Sequence, residues 1–337
     1  MKAIVYTANG GPEVLAVAER DVPEPGPGEV RVRVQVSGVN PTDWKSRKSS
    51  PPAFAEMVPN QDGAGIIDAV GANVSPERIG ERVWLWEVAW QRANGTAQEY
   101  VCLPAAQAVA LPDEASFDLG ASLGIPALTA HRCLTTYELS DGRLGPGTLS
   151  GMAVLVAGGA GAVGNAAIQL ARWSGATVIA TVSGPEKAEL AQRAGADLTV
   201  NYRAEDAADQ VRTFAPRGVD LIVELAPAAN FALDHAVVAT GAAIAVYANE
   251  GAAVDVTIPV RPMMVANLRY QFVLVYTVPE LAKAQAVADV SVAVADGAIR
   301  VGEAAGLPLH RYPLAETAAA HLAVENGAVG KVLIDVS

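Results

Sequence analysis

MAVLVAGGAGAVGNAAIQLARWSGATVIATVS, residues 152–183, is the stretch that decides the fold. A short apolar run ends at Ala157, and Gly158, Gly161 and Gly164 then recur every third residue. An apolar segment of helical length follows, then a second β-branched run, Thr177–Thr181. Strand, glycine turn, helix and strand in that order form the context in which a glycine triplet binds a dinucleotide. The early glycines let the backbone turn sharply and approach a pyrophosphate. Gly164 lets the helix pack close to the strand, and the helix N-terminus turns its free N–H groups toward the phosphates. Gly158, Gly161, Ala162, Val163 and Gly164 are therefore the candidate pyrophosphate-binding residues.

The tip of the second strand bears on the cofactor. An NAD site places an acid there to hold the ribose hydroxyls, whereas this chain reads Thr181-Val182-Ser183-Gly184, with Lys187 following and Tyr202-Arg203 closing the next strand. A hydroxyl and cations without an opposing acid suit a 2′-phosphate, so the spacing favours NADPH. A structural role for Ser183 as the cap of a helix opened by Pro185 is compatible with the same residues.

Downstream, strands are predicted at Leu198–Asn201, Asp220–Glu224 and Ala242–Val246. They alternate with helices at 162–174, 185–194, 205–214 and 230–239, the pattern of a parallel sheet. Upstream, KAIVY (2–6), EVRVRVQV (29–36), GAGIIDAVG (63–71) and ERVWLW (81–86) read as short strands joined by glycine and proline, the mark of a small irregular barrel. After about residue 277 come one or two helices and a closing strand, KVLIDV.

Length and composition agree with two packed domains: the chain has 337 residues, 51% of them hydrophobic. A formal charge of -12 disfavours nucleic acid and anionic membranes as partners. No apolar run reaches the ~18 residues of a membrane span, and MKAIVYTANG lacks the apolar core of a secretory signal. Cys102 and Cys133, far apart and unpaired in spacing, fit a reducing compartment. These features together point to the cytoplasm.

The chain resembles the quinone oxidoreductase branch of the medium-chain dehydrogenase/reductase superfamily, of the zeta-crystallin type. The likeness is carried by GVNPTDW (38–44), DGAGIIDAVG (62–71), GERVW (80–84), AQEYVCLPA (97–105), GIPALTAHRCL (124–134), AGADLTVNYR (194–203), GAVGKVLI (327–334) and the glycine fingerprint. It implies an α/β fold in which a Rossmann doubly wound parallel sheet, residues 127–278, is inserted in a GroES-like β-barrel catalytic domain, residues 1–126 and 279–337. The active site would lie in the cleft between them. It also implies a homodimer joined through the cofactor-domain edge strand, here LRYQFVLVY (268–276).

Residue by residue, the resemblance sets Asn40 beside the nicotinamide, with Thr129 opening a helix near the same ring. Ser183, Lys187 and Tyr202 match positions that meet the 2′-phosphate. Asn249 and Val275 fall in loops flanking the nicotinamide, and Lys331 in a C-terminal loop that reaches the cofactor. Zinc-dependent relatives have cysteine where Asn40 stands, a His-Glu pair where Gln61-Asp62 stands, and a four-cysteine loop. Two cysteines in all, and His131, His235, His310 and His321 without ligand spacing, give no zinc set. The family tyrosine just after the asparagine is replaced by Lys45, a candidate for orienting a substrate carbonyl or donating a proton.

The implied activity is metal-free hydride transfer from NADPH to small quinones or α,β-unsaturated carbonyls. The alternatives are an enoyl-thioester reductase acting on acyl-CoA or a polyketide, and a non-catalytic NADPH-binding protein. Tyr-x-x-x-Lys and Gly-x-Ser-x-Gly signatures are absent from the sequence.

Overall fold

A computed structural model describes residues 1–204, 206–251 and 255–336. The chain divides into two compact units, Met1–Ile125 with the segment from Pro308 onward, and Pro126–Leu307.

The first unit contains β1 (Lys2–Val5), β2 (Ala16–Glu19), β3 (Glu29–Val39), α1 (Pro41–Ser49), β4 (Asp62–Val70), β5 (Arg82–Leu85), β6 (Tyr100–Pro104), β7 (Ala108–Ala110) and the start of α2 (Phe117–Leu134). The second contains β8 (Ala153–Ala157), α3 (Ala162–Trp173), β9 (Thr177–Val182), α4 (Pro185–Ala194), β10 (Leu198–Asn201), α5 (Ala207–Phe214), β11 (Val219–Glu224) and α6 (Pro227–Val237). It continues with β12 (Val238–Val246), α7 (Val260–Val265), β13 (Arg269–Phe272) and α8 (Glu280–Ala295). The chain then returns to the first unit as β14 (Leu309–Pro313), α9 (Thr317–Glu325) and β15 (Lys331–Asp335).

In the first unit, the alternation of EVRVRVQV drives the sheet. Val30, Val32 and Val34 point inward from β3 and pack with Ile67, Val83, Val101, Leu103 and Ile334. Each such aliphatic side chain contributes roughly 1.5–3 kcal/mol when fully buried. The sheet runs β14-β15-β3-β4-β5-β7, with β6 also on β3, and β1–β2 form a separate ribbon. Antiparallel pairing of β3 with β4 aligns Gly38 with Asp62, and pairing of β15 with β3 aligns Val332 with Val39. The end of β3 and the beginnings of β4 and β15 therefore meet at one edge.

The second unit is a six-stranded parallel sheet in the order β10-β9-β8-β11-β12-β13, the doubly wound topology expected from the sequence. Leu155, Ile179, Val200, Ile222 and Ile244 give one core residue from each of five strands. The switch in strand order falls between β8, which carries the glycine turn, and β11.

Several boundaries differ from the sequence reading. Pro227 opens α6 three residues before the predicted start, since proline's fixed φ suits the first helical position. The β-branched Val238 belongs to a strand rather than to that helix. The expected start of the next-earlier helix, Glu205, lies outside the described residues. The predicted nine-residue strand 268–276 is a strand only over β13, beyond which the chain turns at Val275–Thr277. Residues 279–307 were expected with the catalytic domain, yet they group with the second unit. There Asp289 accepts from His131 and Arg143, Lys283 Nζ donates to the Tyr276 carbonyl, and Asn165 donates to that of Ala305. Among the described residues no helix is long and apolar enough to cross a membrane.

Candidate functional site

In the first unit, α1 starts immediately after β3, with Asn40 as its N-cap, Pro41 at the first helical position and Asp43 accepting from the Asn40 N–H at 2.7 Å. That Asn-Pro-x-Asp start was legible in the sequence, although the region read only as strands and turns. The cap fixes the Asn40 backbone, and its side chain turns to the sheet edge. There Lys331 Nζ donates to Asn40 Oδ1 at 2.7 Å, and Asn40 Nδ2 donates to Asp62 Oδ2 at 2.6 Å. Lys331 Nζ also lies 3.4 Å from Asp62 Oδ2, and the Ile125 N–H holds Asp62 Oδ1 at 2.9 Å.

All three residues are buried: Asn40 is 3% exposed, Lys331 1% and Asp62 0%. The close fit around Asp62 depends on Gly124, while Gly38 is required first by the Ala121 carbonyl, 2.1 Å from where a Cβ would stand. A Cβ at Gly124 would come within 2.1 Å of Asp62 Oδ1, and one at Gly38 within 3.2 Å of Lys331 Nζ. Burial pushes the Asp62 carboxyl up and the Lys331 ammonium down, while their mutual attraction opposes both shifts. Asp43, buried beside Asp62, is pushed up to about 8, chiefly by burial, despite its bond from the Asn40 N–H. Asp43 and the bridging role of Asp62 were not foreseen. For Asp62 the signal was an acid immediately before the apolar run GAGII at the start of β4.

The structure brings Asn40 and Lys331 together but not as expected. Lys331 is the first residue of β15 rather than part of a loop, because strand pairing with β3 draws it in. Lys45 is exposed on α1, its ammonium 5.7 Å from the centre of the Trp44 ring. Gln61 turns instead to the Ala89 N–H, which its Oε1 accepts at 3.1 Å.

In the second unit, Gly158 takes the left-handed backbone, φ +67°, directly after β8. A Cβ at Gly164 would meet the Gly158 carbonyl at 2.4 Å, so only glycine lets α3 start this close to the turn. The first helical bond of α3 runs from the Asn165 N–H to the Gly161 carbonyl, leaving the amides of Ala162, Val163 and Gly164 at an open helix N-terminus.

At the tip of β9, Gly184 rather than Ser183 is the N-cap of α4, with no side-chain cap. The Ser183 hydroxyl is thus not used as a cap. Ser183, Gly184, Pro185, Glu186 and Lys187 line a concavity of about 250 Å³. Tyr202 follows the neighbouring strand, its N–H bonded to the Val182 carbonyl, with Arg203 over its ring.

Asn249 is exposed in the loop after β12, which is tied to the end of β11 by Tyr247 N–H to Glu224 O and Glu250 N–H to Leu225 O. Leu225 borders Gly158. Val275 is buried in the turn after β13, where the Val273 N–H reaches the Val246 carbonyl. These residues share the carboxyl edge of the parallel sheet, where doubly wound folds bind ligands. Thr129 is buried inside α2 rather than at a helix start, because α2 continues from Phe117 through Pro126.

Cys102 and Cys133 are free thiols. Among the described residues no group of three or more His, Cys, Asp or Glu is placed to hold a metal.

Comparison with known proteins gives two family matches. The alcohol dehydrogenase GroES-like domain matches residues 26–113, and the zinc-binding dehydrogenase model matches residues 162–290. The quinone oxidoreductase of Rattus norvegicus is 33% identical over 256 residues, 74% of this chain and 74% of its own. A solved NAD-dependent alcohol dehydrogenase is 30% identical, with a TM-score of 0.86 over 100% of both chains. The Escherichia coli quinone oxidoreductase complexed with NADPH is 25% identical, with a TM-score of 0.81 over 99% of this chain and 100% of its own.

Proposed function

Because the chain belongs to the quinone oxidoreductase branch of the medium-chain dehydrogenase/reductase superfamily, we propose that this oxidoreductase is an NADPH-dependent, zinc-independent reductase of quinones and α,β-unsaturated carbonyls. The observation that carries the reading is the chain of contacts Lys331–Asn40–Asp62, an ammonium, an amide and a carboxylate buried together.

The donor set does not fit the zinc that the name of one matching family implies. Zinc needs thiolate, imidazole or carboxylate ligands in a closed set. Here the Asn40 oxygen already accepts from an ammonium, and one Asp62 oxygen faces the same positive charge. A divalent ion would meet Lys331 at close range. The fixed cation of this site is the lysine.

The residues present do fit NADPH, which supplies a hydride when bound. The open N–H groups at the start of α3 suit a pyrophosphate. The uncapped Ser183 hydroxyl, the half-buried Lys187 and Tyr202 at the neighbouring strand end suit a 2′-phosphate. The Escherichia coli relative complexed with NADPH supports the same choice. Thr129, Asn249 and Val275 belong to the cofactor site on this reading. Asn40 donates a hydrogen bond to the acceptor's oxygen as negative charge develops there, the task of an oxyanion hole. An activated acceptor gives a stabilised anion, so no strong general acid is required. Lys45, exposed on α1, orients the substrate carbonyl.

The test is oxidation of NADPH, and of NADH in parallel, with benzoquinone, cyclic enones and crotonyl-CoA, in the presence and absence of a chelator. Chelator-insensitive turnover of quinone or enone with NADPH preferred bears the proposal out. Preference for the thioester moves the assignment to enoyl reduction, and NADPH binding without any turnover leaves a binding protein.

A further inference from the structure

We propose that Lys331 is a positioning residue for this reaction: its ammonium locks the Asn40 amide in one orientation and strengthens the N–H that the amide offers to the substrate oxygen. The inference rests on the role given to Asn40 above and goes beyond it.

With 1% of its surface exposed, Lys331 acts on a substrate only through what it touches, namely Asn40 Oδ1 and Asp62 Oδ2. The amide is thereby held at both ends, its oxygen by an ammonium and one Nδ2–H by a carboxylate. Flipping it would set N–H groups against the ammonium and a carbonyl against the carboxylate, so the orientation is unique. The second Nδ2–H has no partner among the described residues. A cation on the carbonyl oxygen withdraws charge from the amide nitrogen and makes that remaining N–H a better donor.

Stability does not explain the arrangement. Buried ion pairs are often neutral or costly compared with apolar side chains of the same size. Here, in addition, glycine at 124 is what leaves room for the Asp62 carboxylate, since a Cβ there would lie 2.1 Å from Asp62 Oδ1. What the pair supplies is a fixed direction for the amide.

The experiment compares wild type with Lys331→Arg, Lys331→Gln and the double variant Asp62→Asn/Lys331→Met. The double variant removes both buried charges together and so leaves neither uncompensated. Thermal unfolding and NADPH titration first identify the variants that fold and bind cofactor. Steady-state kinetics with a quinone and an enone should then show kcat reduced about 10- to 100-fold in the folded double variant and in Lys331→Gln. KM and NADPH affinity should stay within about threefold, and Lys331→Arg should recover most of the rate.

In ligand-free protein, the two Asn40 side-chain amide protons, assigned by their loss in Asn40→Ser, should be widely split in wild type. They should collapse toward solvent-exposed values in the double variant. Wild-type turnover matched by the folded double variant, or amide resonances identical in the two, overturns the role of Lys331. Wild type that is inert toward both acceptors overturns the proposed reaction instead, while the amide resonances still decide whether the lock exists.

Discussion

Lys331 and Asn40 stand 291 positions apart in the chain, and their polar atoms lie 2.7 Å apart, ammonium donor to amide oxygen. The contact follows from strand pairing. β15 runs antiparallel to β3 with Val332 opposite Val39, so the residue before one faces the residue after the other. Asp62 joins them because β4 begins opposite Gly38 on the other side of β3.

Replacing Asn40 by alanine removes the proposed donor to the substrate oxygen. Loss of one such donor lowers kcat by about 10²- to 10³-fold, with NADPH affinity changed little. Steady-state rates with a quinone, combined with cofactor titration, check this. A kcat within about threefold of wild type would exclude Asn40 from the reaction.

Gly164→Ala places a Cβ 2.4 Å from the Gly158 carbonyl, a backbone atom that cannot swing aside. The turn must shift, at a cost of about 1–3 kcal/mol, and with it the helix N-terminus that would face the pyrophosphate. Urea unfolding should show a lower midpoint, and NADPH should bind more weakly. An unchanged midpoint would mean that the turn relaxes freely.

Ser183→Ala removes a hydroxyl that no helix cap uses. A hydrogen bond to a charged group is worth about 1.5–3 kcal/mol, so NADPH affinity should fall by about 10- to 100-fold while NADH affinity stays the same. Equal losses for both cofactors would count against a 2′-phosphate at this position.

The Asp289 carboxyl is held at about 2: burial pushes it up, but hydrogen bonds from His131, Arg143 and the Leu144 N–H outweigh that push. An unfolded aspartate titrates near ~3.9, so on acidification the unfolded chain takes the proton first. The stabilisation is complete above about pH 4 and is lost between about pH 4 and 2. Asp289→Asn should therefore melt well below wild type at pH 6, the gap closing toward pH 2. A gap independent of pH would refute the assignment.

Asp43 carries the opposite sign. Burial, first, and the neighbouring Asp62 push it up to about 8. Between about pH 4 and 8 the unfolded chain loses this proton while the folded one keeps it. Its contribution to stability therefore falls as the pH rises through that window and levels off above it. Asp43→Asn, which keeps an acceptor for the Asn40 N–H, should flatten the dependence of melting temperature on pH between 5 and 8. Parallel curves for the two proteins would show that Asp43 is ionised throughout.

Much of the second unit was legible because its signals are local. β8, α4 and β10 lie where the β-branched runs and Pro185 put them. The turn at Gly158–Gly164 is dictated by residues within seven positions of one another. In the first unit the inward valines of β3 were equally clear, whereas α1 was missed because its interior is polar and its only mark is the Asn40-Pro41 cap. Thr129 was misplaced because nothing in GIPALTAH says that α2 runs through Pro126.

The sequence by itself determined the doubly wound sheet and the glycine turn, since periodicity and turn chemistry are written in neighbouring residues. Only the tertiary structure decided that Lys331 sits on Asn40 and Asp62, and that burial pushes the Asp43 carboxyl up. Those outcomes depend on the register between strands distant in the chain and on how fully a charge is removed from water. Neither quantity is encoded in the spacing of the residues themselves.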